Sequence, residues 1–301
     1  MAARTVLPHV AALFATVLLA AVAHAQGGAA IPAQTVDPQL RAQLPKDVLA
    51  SGELVAVNSG SFPPYDIIGD NQALTGASAD LETAVGQLLG IRFRNETVSG
   101  LAGVLGGIKS GRYQLDMGPD GDFPDREPAN DFIDWVREYV VFAVPNGNPK
   151  HINDIADTCG LRVAVQSGGS AEQVIKKQSA ACVAAGKPAV EVQSFGDQPT
   201  SLLAVRSGRS DAFFSSQAPL TYFVHQTNGQ LELAAVGKPN GFGTIYQGSV
   251  VQKGSPLAGV LLQAYQVLFR NGTYDAIMRK WHLEANMIPE PGIDLATAKK
   301  S

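Results

Sequence analysis

Arg126 stands in the segment Gly121-Asp122-Phe123-Pro124-Asp125-Arg126-Glu127. A guanidinium stays charged at any physiological pH and presents a planar fork that grips a carboxylate through two hydrogen bonds. The residue therefore has two uses: to clamp a carboxylate-bearing solute, or to pair with Asp122, Asp125 or Glu127 beside it. Gly168-Gly169-Ser170 falls between a strand pattern and a helix pattern, where backbone N–H groups and a hydroxyl can hold an anion at a helix N-terminus. Ser170 serves equally as a plain N-cap. An acid catalyst needs a positioned carboxyl, and Glu172 is the one on offer, although a first-turn carboxylate is already favoured by the helix dipole. No Ser-His-Asp pattern, metal motif or phosphate loop is present, and His151, His225 and His282 stand far apart. These residues read as a binding site without cofactor or metal, and not as an enzyme.

Positioning them requires alternating strands and helices. Glu53-Leu-Val-Ala-Val-Asn58 reads as a strand that Phe62-Pro63-Pro64-Tyr65 breaks into a loop. From Ala79 to Leu89, Leu81, Val85, Leu88 and Leu89 fall on one helical face, with Gly90 as the stop. A short strand from Ile91, a helix from Leu101 to Ser110 and a strand from Tyr113 to Met117 complete a βαβαβ order. The same grammar restarts near residue 150: a strand Leu161–Val165, a helix from Ala171 to about Ala185, strand candidates at Val190–Val192 and Asp211–Phe214, and a helix Pro199–Ser207 between them. Two α/β units, joined by extended segments near Tyr139–Val144 and Tyr246–Val251, make a cleft between lobes, where small-molecule sites are preferentially found. The last helix, Leu257–Arg270, is broken at Asn271-Gly272 and resumes through Tyr274 to Trp281.

At 301 residues, two domains are the natural expectation. A net charge of −4 with no basic cluster argues against nucleic acid as a partner. Arg4, the apolar run Val10 to Val22 and the small-x-small end Ala23-His24-Ala25 read as a cleaved signal peptide over residues 1–25. A membrane anchor would need roughly 18 to 20 unbroken apolar residues. No cysteine sits at the cleavage site to carry a lipid. Residues 26–47 lack periodicity and read as an extended arm outside the core. The chain has 2 cysteines, Cys159 and Cys182; in an exported protein an even count reads as one disulfide. Metal binding is the rival, but no further ligands lie at the right spacing.

Several phrases, in order, resemble the solute-binding proteins of polar amino-acid importers, the family 3 extracellular solute-binding proteins. They are Ser61-Phe62-Pro63-Pro64-Tyr65; Ile108-Lys109-Ser110-Gly111-Arg112-Tyr113; Pro124-Asp125-Arg126-Glu127 with Asp131-Phe132; Val163-Ala164-Val165-Gln166-Ser167-Gly168; Ser207-Gly208-Arg209-Ser210-Asp211-Ala212; and Asn271-Gly272-Thr273-Tyr274 with Lys280-Trp281. The match runs from about residue 48 to 285, and the paired cysteines resemble one branch of the family. The resemblance implies the α/β type II periplasmic binding fold: two lobes joined by a two-segment hinge. The first lobe is discontinuous, 48–143 and 246–290, the second is 144–245, and 291–301 is a C-terminal tail. It implies a monomer in the periplasm that closes on a small solute and delivers it to the membrane permease of an ATP-binding cassette importer.

The resemblance also implies site roles. Arg126 would clamp the solute's carboxylate, with Gly169 and Ser170 donating to the same group. Phe62 would stack on the solute and Leu101 would form cleft wall, although either could be a plain core residue. Asn58, Asp120, Gly121 and Ser216 complete the expected ligand-facing set. The departures bear on the ligand. Ser216 stands where relatives that bind α-amino acids place an acid, so a buried ammonium would lose its charged partner there, at a cost of several kcal/mol unless another carboxylate substitutes; Asp120 and Asp116 are the candidates. Gly121 and Phe123 replace hydroxyl residues of the arginine motif, and Gly76-Ala77-Ser78-Ala79-Asp80 lacks the usual aromatic and first aspartate. The expectation is a site whose carboxylate end is kept and whose amino end is remodelled. The same fold also carries cyclohexadienyl dehydratase-like enzymes and ligand-presenting proteins for membrane sensors, which are the alternatives.

Overall fold

The computed structural model describes Met1 and residues 31–69 and 73–298, so the leader expected over 1–25 lies outside the described residues apart from Met1. Two short helices, α1 (Pro38–Arg41) and α2 (Lys46–Ser51), precede strand β1 (Glu53–Asn58). A small three-stranded sheet follows, β2 (Ser61–Phe62), β3 (Asp66–Ile68) and β4 (Leu74–Thr75), then helix α3 (Ala77–Leu89), β5 (Arg92–Thr97), α4 (Gly100–Lys109), β6 (Leu115–Gly121) and β7 (Asn130–Glu138). The second unit comprises β8 (Val140–Pro145), β9 (Arg162–Gln166), α5 (Ser170–Ala184), β10 (Glu191–Phe195), α6 (Gln198–Arg206), β11 (Ala212–Ser216), α7 (Gln217–His225) and β12 (Leu231–Ala234). The chain then returns through β13 (Ile245–Gln252), α8 (Leu257–Arg270), α9 (Thr273–Lys280) and β14 (Met287–Ile293).

The strands form a six-stranded sheet, β14-β7-β13-β6-β1-β5, and a five-stranded sheet, β10-β9-β11-β8-β12. Within each, the strands reached through helices pair parallel: β1 with β5 and β6, and β9 with β10 and β11. The strands that carry the chain between sheets run antiparallel to their neighbours. The segments expected as extended linkers are thus sheet strands in their own right. β7 passes into β8 with Tyr139 alone between them, and residues 235–244 join β12 to β13.

The predicted face of α3 holds: Leu81, Val85, Leu88 and Leu89 are all buried, and Gly90 closes the helix at φ 63°. They pack with α8 and with Trp135, whose ring meets Tyr65 edge-on at 5.7 Å. The second lobe has its own core around Phe142, Val163, Val165 and Phe214. Two expectations are corrected. Of the arm expected over 26–47, the described residues 31–47 do not stay outside the core: Asp37 caps α1 through the N–H groups of Gln39 and Leu40, and Leu40 and Leu44 are buried in the first lobe's core. Leu40 on α1, Leu44 in the turn between the helices and Val48 on α2 each bury an apolar side chain against that core. The tail over 291–301 begins inside β14, whose Gly292 and Ile293 pair with Asp134 and Ile133, and Leu295 and Ala296 donate backbone N–H groups to Asp134 and Asp122.

Candidate functional site

The carboxyl ends of the parallel strands from both sheets face one cavity of about 100 Å³ between the lobes. The first lobe contributes Phe62, Asp66, Leu101, Asp116, Asp120, Gly121 and Arg126; the second contributes Gln166, Gly169, Ser170, Gln198, Ser215 and Ser216; Val140, Ile245 and Gln247 line it from the crossing strands and Phe242 from the segment that joins β12 to β13. The lobes touch directly, since Gly100 at the start of α4 leaves no room for a Cβ beside the Gly196 carbonyl.

Arg126 is the residue that spans the cleft. Its Nη1 donates to the Gly121 carbonyl at 2.9 Å and its Nη2 to Ser170 Oγ, across the lobes, at 3.2 Å. The guanidinium carbon lies 4.9 Å from the Phe123 ring centre. None of the adjacent acids forms an ion pair with it: Asp122 accepts from Ala296 and Glu127 from Thr297. Burial pulls its basicity below the usual range, and Asp120 leads the charges that oppose the shift. Of five guanidinium N–H groups, two are spent on protein.

Ser170 is the first residue of α5 and its hydroxyl accepts from Arg126; the N-cap position belongs to Gly169, which has no side chain to offer. The disulfide between Cys159 and Cys182, with Cα atoms 5.6 Å apart, ties this helix to the short turn Ile155–Thr158 and braces the lobe that carries Ser170. Glu172 does not line the cavity. It accepts from the Gly168 N–H, Lys176 and Ser194, each at 2.7 Å, and the Lys176 hydrogen bond leads the effects that lower its pKa, so it is a fixed carboxylate and not a poised acid.

Phe62 serves both readings at once: it lines the cavity and stacks on buried Tyr65 at 5.7 Å. Leu101 is half-buried on the wall. Asn58 is corrected. It is buried behind the cleft, accepting from Thr97 at 3.0 Å and donating to Asn95, in a polar chain that continues to Glu82 and ties β1 to β5. A buried side-chain amide must be hydrogen-bonded, and Thr97 and Asn95 on the paired strand supply those partners here.

Sequence reasoning missed Asp66, Gln198, Ser215, Phe242 and Gln247. Asp66 follows Tyr65 in the Phe-Pro-Pro-Tyr phrase, and Gln247 is the one amide in the run Ile245–Val251, so a polar residue inside a strand signal was there to find. Asp66 and Asp116 are buried, and Asp116 accepts the Gly118 N–H at 2.8 Å. Burial raises the pKa of Asp66, Asp116 and Asp120 alike; Asp120 adds to the first two, and for Asp120 itself the Arg126 charge opposes the shift. Gly118, at φ 71°, sits so close to the Gly248 carbonyl that a Cβ would overlap it, which holds the bend in β6 between Asp116 and Asp120.

Residues 54–284 match the family model of bacterial extracellular solute-binding proteins, family 3. The arginine-binding protein ArgT of Corynebacterium glutamicum is 27% identical over 259 residues, covering 84% of this chain and 82% of its own. The L-cystine-binding protein TcyJ of Escherichia coli is 24% identical over 232 residues, covering 76% and 82%. Among solved structures, an ancestral arginine-binding protein bound to glutamine superposes with a TM-score of 0.68 at 25% identity, covering 77% of this chain and 99% of that one.

Proposed function

The chain belongs to the bacterial extracellular solute-binding proteins, family 3, and on that footing we propose that it binds a small carboxylate-bearing, amino-acid-like solute in the cleft and hands it to the permease of an ATP-binding cassette importer. The observation that carries the solute class is Arg126: a buried guanidinium in the cavity wall, free of ion pairs, bonded across the lobes to Ser170 and with three N–H groups to spare. A carboxylate entering there gains a bidentate partner and the N-terminus of α5 together. The lobes, one built on β1–β7, β13 and β14 and the other on β8–β12, so that Val140–Ala143 fall in the second and not the first, swing about the crossings at Tyr139 and 235–244, and a solute that bridges them shifts the population to the closed form that the permease reads.

One chain supplies every residue lining the cleft, which supports a monomer, and membership of an extracellular solute-binding family supports a periplasmic place of work. Binding without turnover is supported by the relatives, which are named as binding proteins, and by the engagement of Glu172 away from the cavity.

The test is a thermal-shift screen of ligand-stripped protein against amino acids and their deaminated and decarboxylated analogues; a ligand at 100 times its Kd adds about 2.7 kcal/mol. For the best ligand, Arg126→Met is expected to cost about 2 to 5 kcal/mol in binding, the range for removing one partner of a buried charge pair. An unchanged Kd sinks the carboxylate reading.

A further inference from the structure

Residues 294–298 form a closed turn after β14, outside the stretch 54–284 that matches the family model. Asp294 anchors it: Oδ1 accepts from the Phe132 N–H at 2.9 Å, Oδ2 from Lys253 at 2.6 Å, and its carbonyl from the Ala298 N–H at 2.9 Å. The three residues inside the turn then donate, in order, to three acids. The Leu295 N–H reaches Asp134 Oδ2 at 3.0 Å, the Ala296 N–H reaches Asp122 Oδ2 at 2.8 Å, and the Thr297 hydroxyl reaches Glu127 Oε2 at 2.5 Å.

These acids need the donors. Asp134 and Asp122 are 0% and 1% exposed, and Asp122 interacts with both Asp134 and Glu127. The second oxygen of each acid, Asp134 Oδ1, Asp122 Oδ1 and Glu127 Oε1, is shut off from solvent and meets no amide or hydroxyl. Burial raises Asp134 to about 9 and Asp122 to about 6, and the Leu295 and Ala296 amides oppose those shifts. Asp122 and Glu127 also bracket the turn that carries Arg126, in which the Arg126 and Glu127 N–H groups both close on the Phe123 carbonyl. The strap therefore grips the arginine turn at both ends, through charge-assisted hydrogen bonds, the stronger kind.

Resting on the reading of Arg126 as the carboxylate clamp, we propose that the strap Asp294–Ala298 positions that clamp. Ala296 and Thr297, acting through Asp122 and Glu127, hold the guanidinium where it meets Ser170 across the lobes and a solute carboxylate beside it. A binding group keeps its geometry only when the residues behind it are themselves fixed. Neither Ala296 nor Thr297 lines the cavity, so both are positioning residues.

Phenylglyoxal, which modifies free guanidinium groups, reads the clamp without any solute. Peptide mass spectrometry of the whole protein is expected to show Arg126 modified about threefold faster in Thr297→Val, and about tenfold faster or more in a chain stopped after Ile293, the local opening that follows loss of one or several hydrogen bonds. Thr297→Ser keeps the hydroxyl and should react at the wild-type rate. Arg94 and Arg162, paired with Glu53 and Asp211 away from the strap, should not change in any variant. Thr297 is exposed, so Thr297→Val decides the matter even if the shortened chain does not fold. An Arg126 rate in Thr297→Val equal to wild type, or a rise shared by Arg94 and Arg162, overturns the proposal. Calorimetry with the amino acid or deaminated analogue that stabilises wild type most separates the strap from the reading beneath it. A Kd that rises with the Arg126 rate supports both. A faster Arg126 with an unaltered Kd, or a wild type that binds none of these compounds, overturns the carboxylate clamp and leaves the strap's hold on Arg126 standing.

Discussion

Glu138 ends β7 at the crossing between lobes, and its carboxylate is buried on every side. Oε1 accepts from the Tyr139 N–H at 2.8 Å and from Asn286 Nδ2 at 3.2 Å. The amides of Gln217 and Ala218, at the start of second-lobe α7, face the same group. Burial outweighs these donors and lifts its pKa from 4.5 to about 7. The folded protein therefore keeps a proton that the unfolded chain releases near pH 4.5, so stability falls as pH rises from there and the full cost is present once pH passes 7. At roughly 1.4 kcal/mol per pH unit, that window is worth about 3 kcal/mol in total. Glu138→Gln keeps an acceptor oxygen and removes the titration. Urea unfolding at about pH 5 and about pH 8 is expected to show wild type losing some 2 to 3 kcal/mol more than the variant between the two conditions. Comparing the two proteins cancels other buried acids such as Asp134 and Glu82, which titrate in both. Equal pH slopes in the two proteins would refute the assignment of a proton to Glu138, whatever the variant's absolute stability.

Replacing both cysteines with serine opens a loop with a sequence separation of 23 and should cost about 3 kcal/mol on the chain-entropy account, seen as a lower urea midpoint that reductant reproduces in wild type and leaves unchanged in the variant. Gly118→Ala is expected to destabilise by roughly 2 kcal/mol or more through a positive φ and overlap with Gly248, and to weaken solute binding by displacing Asp116 and Asp120; a stable variant with normal Kd would contradict the close packing. Leu40→Ala should cost about 2 to 4 kcal/mol in denaturant unfolding, as for any buried leucine, whereas a segment lying outside the core would lose almost nothing.

Local spacing was enough to read some of these elements. The apolar stripe of α3 with its glycine stop, the bounds of α8 at Leu257 and Arg270, and the repeated strand-helix alternation each follow from periodicities of a few residues. Arg126, Ser170 and Phe62 stood out through the family resemblance of the phrases that hold them, since each alone also had a plain structural reading, and all three line the cavity. The same reasoning placed Asn58 in the cleft and kept Leu40 and Leu44 out of the core, since neither neighbour strand nor docking surface is local. What only the tertiary structure decided is the company these residues keep. Asp66 and Asp116 come from different sheets, and Gln247 joins them because β13 returns from the second lobe to insert between β6 and β7. A sequence specifies side chains and nearby spacing, but burial and charge are properties of a shared cavity, and that cavity exists only once strands more than a hundred residues apart have paired.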